Sequence, residues 1–181
     1  MANYIKEYIE ENIALIEAND FNHLYSNCHE LWVGELTSIL YQAGIDPLLH
    51  MDAVPKEFAY NNSKLTDIVI PSNIKIIYPK AFQRSGVYHV AIDEGCAYIH
   101  TSAFASCVNL EVVELPSSIG TIDTAAFFGC SNLHTIVYAG TYQEWCENVY
   151  KGPNWLGPVK MLEVVLQCTD KEYRANGDDI D

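Results

Sequence analysis

The chain has 181 residues, of which 49% are hydrophobic, and its 24 acidic against 10 basic side chains give a formal charge of −14. That is enough apolar material for a folded core, but too few lysines and arginines to neutralise phosphates, so direct binding to nucleic acid or to an anionic membrane is excluded as a main role. A soluble protein is expected, or one whose partner has a basic surface.

Met1–Glu7 has neither the basic start nor the unbroken apolar core of a signal peptide, and no window approaches the length of a membrane span, so the expected setting is cytoplasmic. Residues 3–19 predict an amphipathic helix opened by Asn3. Ile5, Ile9, Ile13 and Ile16 form its apolar stripe, and Glu7, Glu10, Glu11 and Glu17 fall mostly opposite. Asp20 is placed to cap a second helix from Phe21, and Asn27 with Glu30 has the form of a capping box that restarts it near Cys28. Leu31, Trp32, Leu36, Ile39, Leu40 and Ala43 supply its apolar side, and Gly44 is its expected left-handed end. Asp46-Pro47 then starts a short turn through Met51. Roughly 50 residues of helix cannot bury these stripes alone, so residues 1–52 are expected to be an acidic helical cap on the remainder of the chain.

That remainder is periodic. Leu65, Ile68, Ile70; Val87, Val90, Ile92; Leu110, Val113, Leu115; and Leu133, Ile136, Tyr138 repeat one apolar frame. The first three groups each lead into a second half: Ile74, Ile77, Ala81-Phe82; Cys96, Ile99, Ala103-Phe104; Ile119, Ile122, Ala126-Phe127. The step is 22 residues from Phe82 to Phe104 and 23 from Phe104 to Phe127. Regular self-similarity at this period is the mark of a solenoid, whose coils stack at roughly 4.8 Å. Val54-Pro-Lys-Glu-Phe58 echoes Tyr78-Pro-Lys-Ala-Phe82, which makes Phe58 a further member of the phenylalanine column. Repeats are therefore expected over 53–138. After Tyr138 the pattern fails, and 139–181 is expected to form an atypical C-terminal cap with a last strand in Met161–Cys168 and an acidic tail.

Chemistry-bearing motifs are sparse. The six histidines form no H-E-x-x-H, no cysteine pair is spaced C-x-x-C, and no G-x-S-x-G, phosphate loop or dinucleotide fingerprint occurs. Cys107 and Cys130 each stand three residues after a ladder phenylalanine, where a small buried hydrophobe suffices. No catalytic residue, metal ligand or cofactor is expected.

The frame running from Leu110 to Leu133, L-x-x-V-x-L-P-x-x-I-x-x-I-x-x-x-A-F-x-x-C-x-x-L, resembles the BspA-type (Treponema-type) leucine-rich repeat. Tyr138-Ala-Gly-Thr-Tyr-Gln-Glu-Trp145, with Trp155 and Cys168-Thr-Asp170 downstream, looks like the terminal unit common in such proteins. The resemblance covers residues 54–170 and implies an α+β solenoid with a parallel strand stack that binds other proteins. The acidic head also gives the chain a likeness to small phage or mobile-element products.

Two binding surfaces are expected. On the strands, the outward columns are Asp67, His89, Val112, Thr135 and Val69, Ala91, Glu114, Val137. On the head, the surface is Glu7, Glu10, Glu11 and Glu17, where the local balance over residues 1–54 is one base minus nine acids, or −8. The strand face predicts a non-catalytic protein-binding module. The head predicts instead an acidic inhibitor that mimics nucleic acid in the groove of a host defence nuclease. Homodimerisation through a cap is left open by the sequence.

Overall fold

The computed structural model describes residues 2–29, 32–55, 58, 65–157 and 163–175. Four helices open the chain: α1 (Ala2–Glu11), α2 (Ile13–Glu17), α3 (Phe21–Asn27) and α4 (Val33–Gln42), with a 3-10 turn at Pro47–His50 after them. The single helix expected over 3–19 is thus two, and Asn3 lies inside α1 rather than at its cap. The break falls at Asn12, whose side-chain amide donates to the Tyr8 carbonyl at 2.8 Å and so competes with the helical ladder. The stripe splits with it: Ile5 is buried, Ile9 and Ile16 are half-buried, and Ile13 is 49% exposed.

Asp20 caps α3 as expected, accepting from the His23 amide at 3.3 Å. The capping box does not form in the predicted way. Asn27 is the last residue of α3, α4 starts after Trp32 with no side-chain cap, and Glu30 and Leu31 lie outside the described residues. Gly44, at φ +76°, ends α4, and Asp46 accepts from the Leu48 amide at 3.0 Å with Pro47 in the first turn.

Eleven strands occur among the described residues, in two sheets. The six-stranded sheet runs β11-β10-β8-β6-β4-β2, from β2 (Asp67–Ile70), β4 (His89–Ile92), β6 (Val112–Leu115), β8 (Thr135–Tyr138), β10 (Val165–Gln167) and β11 (Glu172–Arg174). The five-stranded sheet runs β1-β3-β5-β7-β9, from β1 (Ala53–Val54), β3 (Ile76–Ile77), β5 (Tyr98–Ile99), β7 (Thr121–Ile122) and β9 (Tyr150–Lys151). All pairings are parallel except β10 with β11. Burial alternates along the long strands, so Ile68, Val90, Val113 and Ile136 form one buried ladder and Ile70, Ile92, Leu115 and Tyr138 the next.

The corners carrying Ala-Phe are held by a second kind of ladder. Lys80, Ser102 and Ala125 have positive φ, as do Arg84, Ser106 and Gly129 at the far side of each corner. This turns alternate amides toward the neighbouring coil: Phe82 donates to Ala103 at 2.7 Å, Phe104 to Ala126 at 2.8 Å and Phe127 to Trp155 at 2.6 Å. Inside, Phe82, Phe104 and Phe127 stack face to face with centroids 4.8 and 5.1 Å apart, while Phe58 and Trp155 meet the two ends edge-on. Cys107 and Cys130 are fully buried, and their thiols donate to the Phe82 and Phe104 carbonyls at 2.9 and 3.1 Å. The cysteine column is therefore a hydrogen-bonded ladder as well as a hydrophobic one.

The coil outlasts its sequence pattern. Although the repeat frame ends at Tyr138, β9 still pairs with β7 and β10 with β8. Within the expected C-terminal cap lies a helix, α5 (Tyr142–Asn148), opened by a Thr141–Glu144 capping box. Its Trp145 packs on Tyr138 and Trp155 at 5.2 and 5.9 Å. The strand expected in Met161–Cys168 is β10, Val165–Gln167, but it is not the last, because β11 follows it as a hairpin; Met161 and Leu162 lie outside the described residues, as do Asn176–Asp181. One connected core joins helices and coils, from Ile5 to Leu166.

Candidate protein-interaction surface

The parallel register sets the outward columns side by side. Asp67 pairs with His89, His89 with Val112, and Val112 with Thr135, while Val69, Ala91, Glu114 and Val137 align two residues further on. Each is separated along its strand by one core residue, which forces it to the other side of the pleat. Asp67 and Glu114 are exposed, Val69 is 59% exposed, and His89, Ala91, Val112, Thr135 and Val137 are half-buried.

Polar contacts tie the columns together. His89 Nε2 lies 3.0 Å from Glu114 Oε1, which links the second coil to the third and one column to the other. His134 Nδ1 lies 2.9 Å from the Thr135 hydroxyl. The columns also continue beyond the predicted eight residues, because Val165 aligns with Thr135 and Gln167 with Val137. Across the hairpin Arg174 lies opposite Val165 and Glu172 opposite Gln167, and the Gln167 amide donates to Glu172 at 3.0 Å. No repeat frame flags Val165–Arg174, and only the alternation of Val164, Leu166 and Cys168 with Val165 and Gln167 hints at it.

At the other edge, between α4 and β2, is a notch of about 290 Å³ lined by Ser38, Tyr41, Gln42, Leu65, Thr66 and Asp67. Sequence reasoning places no site there, since nothing in the repeat frame sets α4 beside β2.

Glu7, Glu10 and Glu11 on α1 and Glu17 on α2 are all exposed, and none of them lines the notch or the larger cleft beside α3. Lys6 lies 3.9 Å from Glu10, a solvent-exposed pair of small energetic weight. The head acids and the strand columns are thus two separate surfaces.

Turn acids work on the backbone. Burial tends to raise the Glu94 carboxyl, but the amides of Ser117 and Ser118, at 2.7 and 3.2 Å, hold it below the ordinary carboxylate range. Asp123 is held low by the Thr124 amide at 2.6 Å, with the Thr101 hydroxyl at 2.9 Å adding to it. Among the described residues no group of three or more His, Cys, Asp or Glu is placed to hold a metal ion, and no helix is long and apolar enough to cross a membrane.

Two parallel sheets closing a stack of coils, with in-register side-chain columns on the outside, define a leucine-rich-repeat solenoid. Residues 55–166 match the model of the BspA type leucine rich repeat region, in six copies, and the chain belongs to that family. Repeats of this family generally serve as non-enzymatic binding modules. Among solved structures, the chain is similar to a leucine-rich repeat protein from Bacteroides ovatus, at 25% identity over 64% of this chain and 33% of that one, with a TM-score of 0.44. It is also similar to a leucine rich cell surface protein from Faecalibacterium prausnitzii, at 21% identity over 55% of this chain and 33% of that one, with a TM-score of 0.41. The matched stretch is thus about a third of either structure's length. No curated protein matches the chain.

Proposed function

We propose that the chain is a non-catalytic protein-binding module whose contact surface is the outward face of the six-stranded sheet, with residues 1–52 as its helical cap. The observation that carries this is the in-register pair of outward columns, in which Asp67 and Glu114 are exposed and Val69 stays 59% exposed on a hydrogen-bonded sheet. An exposed apolar position held in a fixed array suits complementarity to another protein surface. Val69→Asp with Val137→Asp, three strands apart in one column, is expected to abolish partner capture from lysate while leaving the circular dichroism spectrum unchanged. An undiminished complex sinks the strand-face assignment.

A second function rests on the head. Glu7, Glu10, Glu11 and Glu17 are exposed on α1 and α2, and among the described residues the one ion pair they make is Glu10 with Lys6, as suits an acidic inhibitor of a nucleic-acid-binding enzyme. Glu7→Lys, Glu10→Lys and Glu11→Lys together are then expected to weaken capture, and affinity is expected to fall steeply between low and high salt. Strand-face docking predicts capture that barely responds to salt.

A further inference from the structure

On the side of the five-stranded sheet, where α3 meets the first coil, the molecule has an open cleft of about 440 Å³ that neither the strand face nor the acidic head uses. Asn22 and Ser26 from α3 and Asp52 supply its polar lining, and Pro55 and Tyr78 line it from the coil. Tyr78 is 42% exposed, and one face of its ring is already covered. The His100 ring, one coil further on, lies 5.7 Å away at an interplanar angle of 22°, and is itself backed by Tyr98 at 4.2 Å. Tyr78 lines the cleft together with Asp52 and Pro55.

Among the described residues, the charges around the cleft are unbalanced. Asp52 is exposed and has no ion-pair partner among the described residues. The adjacent basic side chain is engaged elsewhere: the Lys75 ammonium donates to the Ser72 carbonyl at 2.7 Å, and only its backbone amide reaches Asp52. On the α3 side, Asp20 is taken by His23 at 2.7 Å. Among the described residues the cleft therefore offers an aromatic ring, one carboxylate without an ion-pair partner, and an amide and a hydroxyl as further acceptors.

We propose that this cleft receives an arginine side chain from a protein partner, with the guanidinium flat on the open face of Tyr78 and its N–H edge donating to Asp52. Arginine fits better than lysine because its planar, weakly hydrated cation stacks on a ring and forks onto a carboxylate at once, whereas an ammonium is a strongly hydrated point charge. A neutral ligand leaves Asp52 without a counter-charge. The assignment shares with the proposed function the premise that the partner is a protein, but it concerns a different face.

The test uses the full chain and three capped tripeptides, Gly-Arg-Gly, Gly-Lys-Gly and Gly-citrulline-Gly, titrated while backbone amide shifts are recorded by NMR. The arginine peptide is expected to move the amides of Asp52, Ala53 and Tyr78 along a saturating curve, the lysine peptide to bind several-fold more weakly, and the uncharged citrulline peptide to fail. Asp52→Asn and Tyr78→Leu, the second keeping bulk without a π face, should each weaken binding about two- to fivefold, the range for one exposed cation–π or ionic contact. Val69→Asp should change nothing here, which separates failure of this site from failure of the strand face. Equal binding of arginine and citrulline peptides, shifts spread over α1 and α2, or no saturating shift overturns the proposal.

Discussion

The coils and the helical head are built on opposite principles. In the coils a residue's role is set by its counterpart one coil away: Phe104 is what it is because Phe82 and Phe127 lie 4.8 and 5.1 Å from it. In the head each helix solves its own problem, Asn12 breaking one and Asp20 starting another, and α2 buries no residue at all. Both belong to one core, but packing in the coils repeats along the stack, while in the head each packing contact is made once.

The largest expected effect tests that repetition. Phe104→Ala removes the central ring of the stack and is expected to cost about 3 to 5 kcal/mol in urea unfolding, as buried phenylalanine truncations do. A loss below about 1 kcal/mol means that the stacked rings do not hold the coils together.

A smaller change tests the joint. The Asn73 side-chain amide donates to the Leu48 carbonyl at 2.7 Å and to that of Met51, binding the first coil to the 3-10 turn. Asn73→Ala is expected to cost about 1 to 3 kcal/mol, because two carbonyls lose a partner. Hydrogen exchange should accelerate in α3 and α4 more than in β6 and β8; uniform acceleration means that head and coils unfold as one unit.

The smallest effect is expected with pH. The carboxyls of Asp20 and Asp123 are held below their usual range, the first chiefly by the His23 ring and the second chiefly by the Thr124 amide. A depressed folded-state value contributes stability that is present above the unfolded value, about 3.9, and is lost as pH falls through the folded one. The urea midpoint should thus decline below about pH 4. Asp123→Asn should flatten that decline in the coils and Asp20→Asn in the head; a decline untouched by either substitution assigns acid lability to other groups.

The contrast between the regions also explains what was legible in the sequence. Phe58, Phe82, Phe104 and Phe127, the strand frames and the outward columns were readable because a stack repeats its solution, and repetition is visible without coordinates. The single-copy decisions were not. Nothing periodic announces that Asn12 outcompetes the helical ladder, and so Ile13 was misplaced on the buried stripe. Glu172–Arg174 joins the sheet only because Lys171 closes a tight hairpin onto Cys168, accepting its amide at 3.0 Å. The cleft was hidden for the same reason, since Asn22, Asp52 and Tyr78 meet only once the head is seated on the first coil.

The aromatic stack has a direction of growth built into it. Its three inner rings are parallel to within 3° and 4°, but Phe58 and Trp155 stand at 66° and 83° to their neighbours. A ring presented edge-on offers no flat face to a newcomer, so a coil added at either terminus has nothing to stack on. An extra 22- or 23-residue unit spliced between Phe82 and Phe127 meets a matching face on both sides. A coil duplicated there is expected to be accommodated with its ring stacked, whereas one appended beyond Phe58 or Trp155 is not.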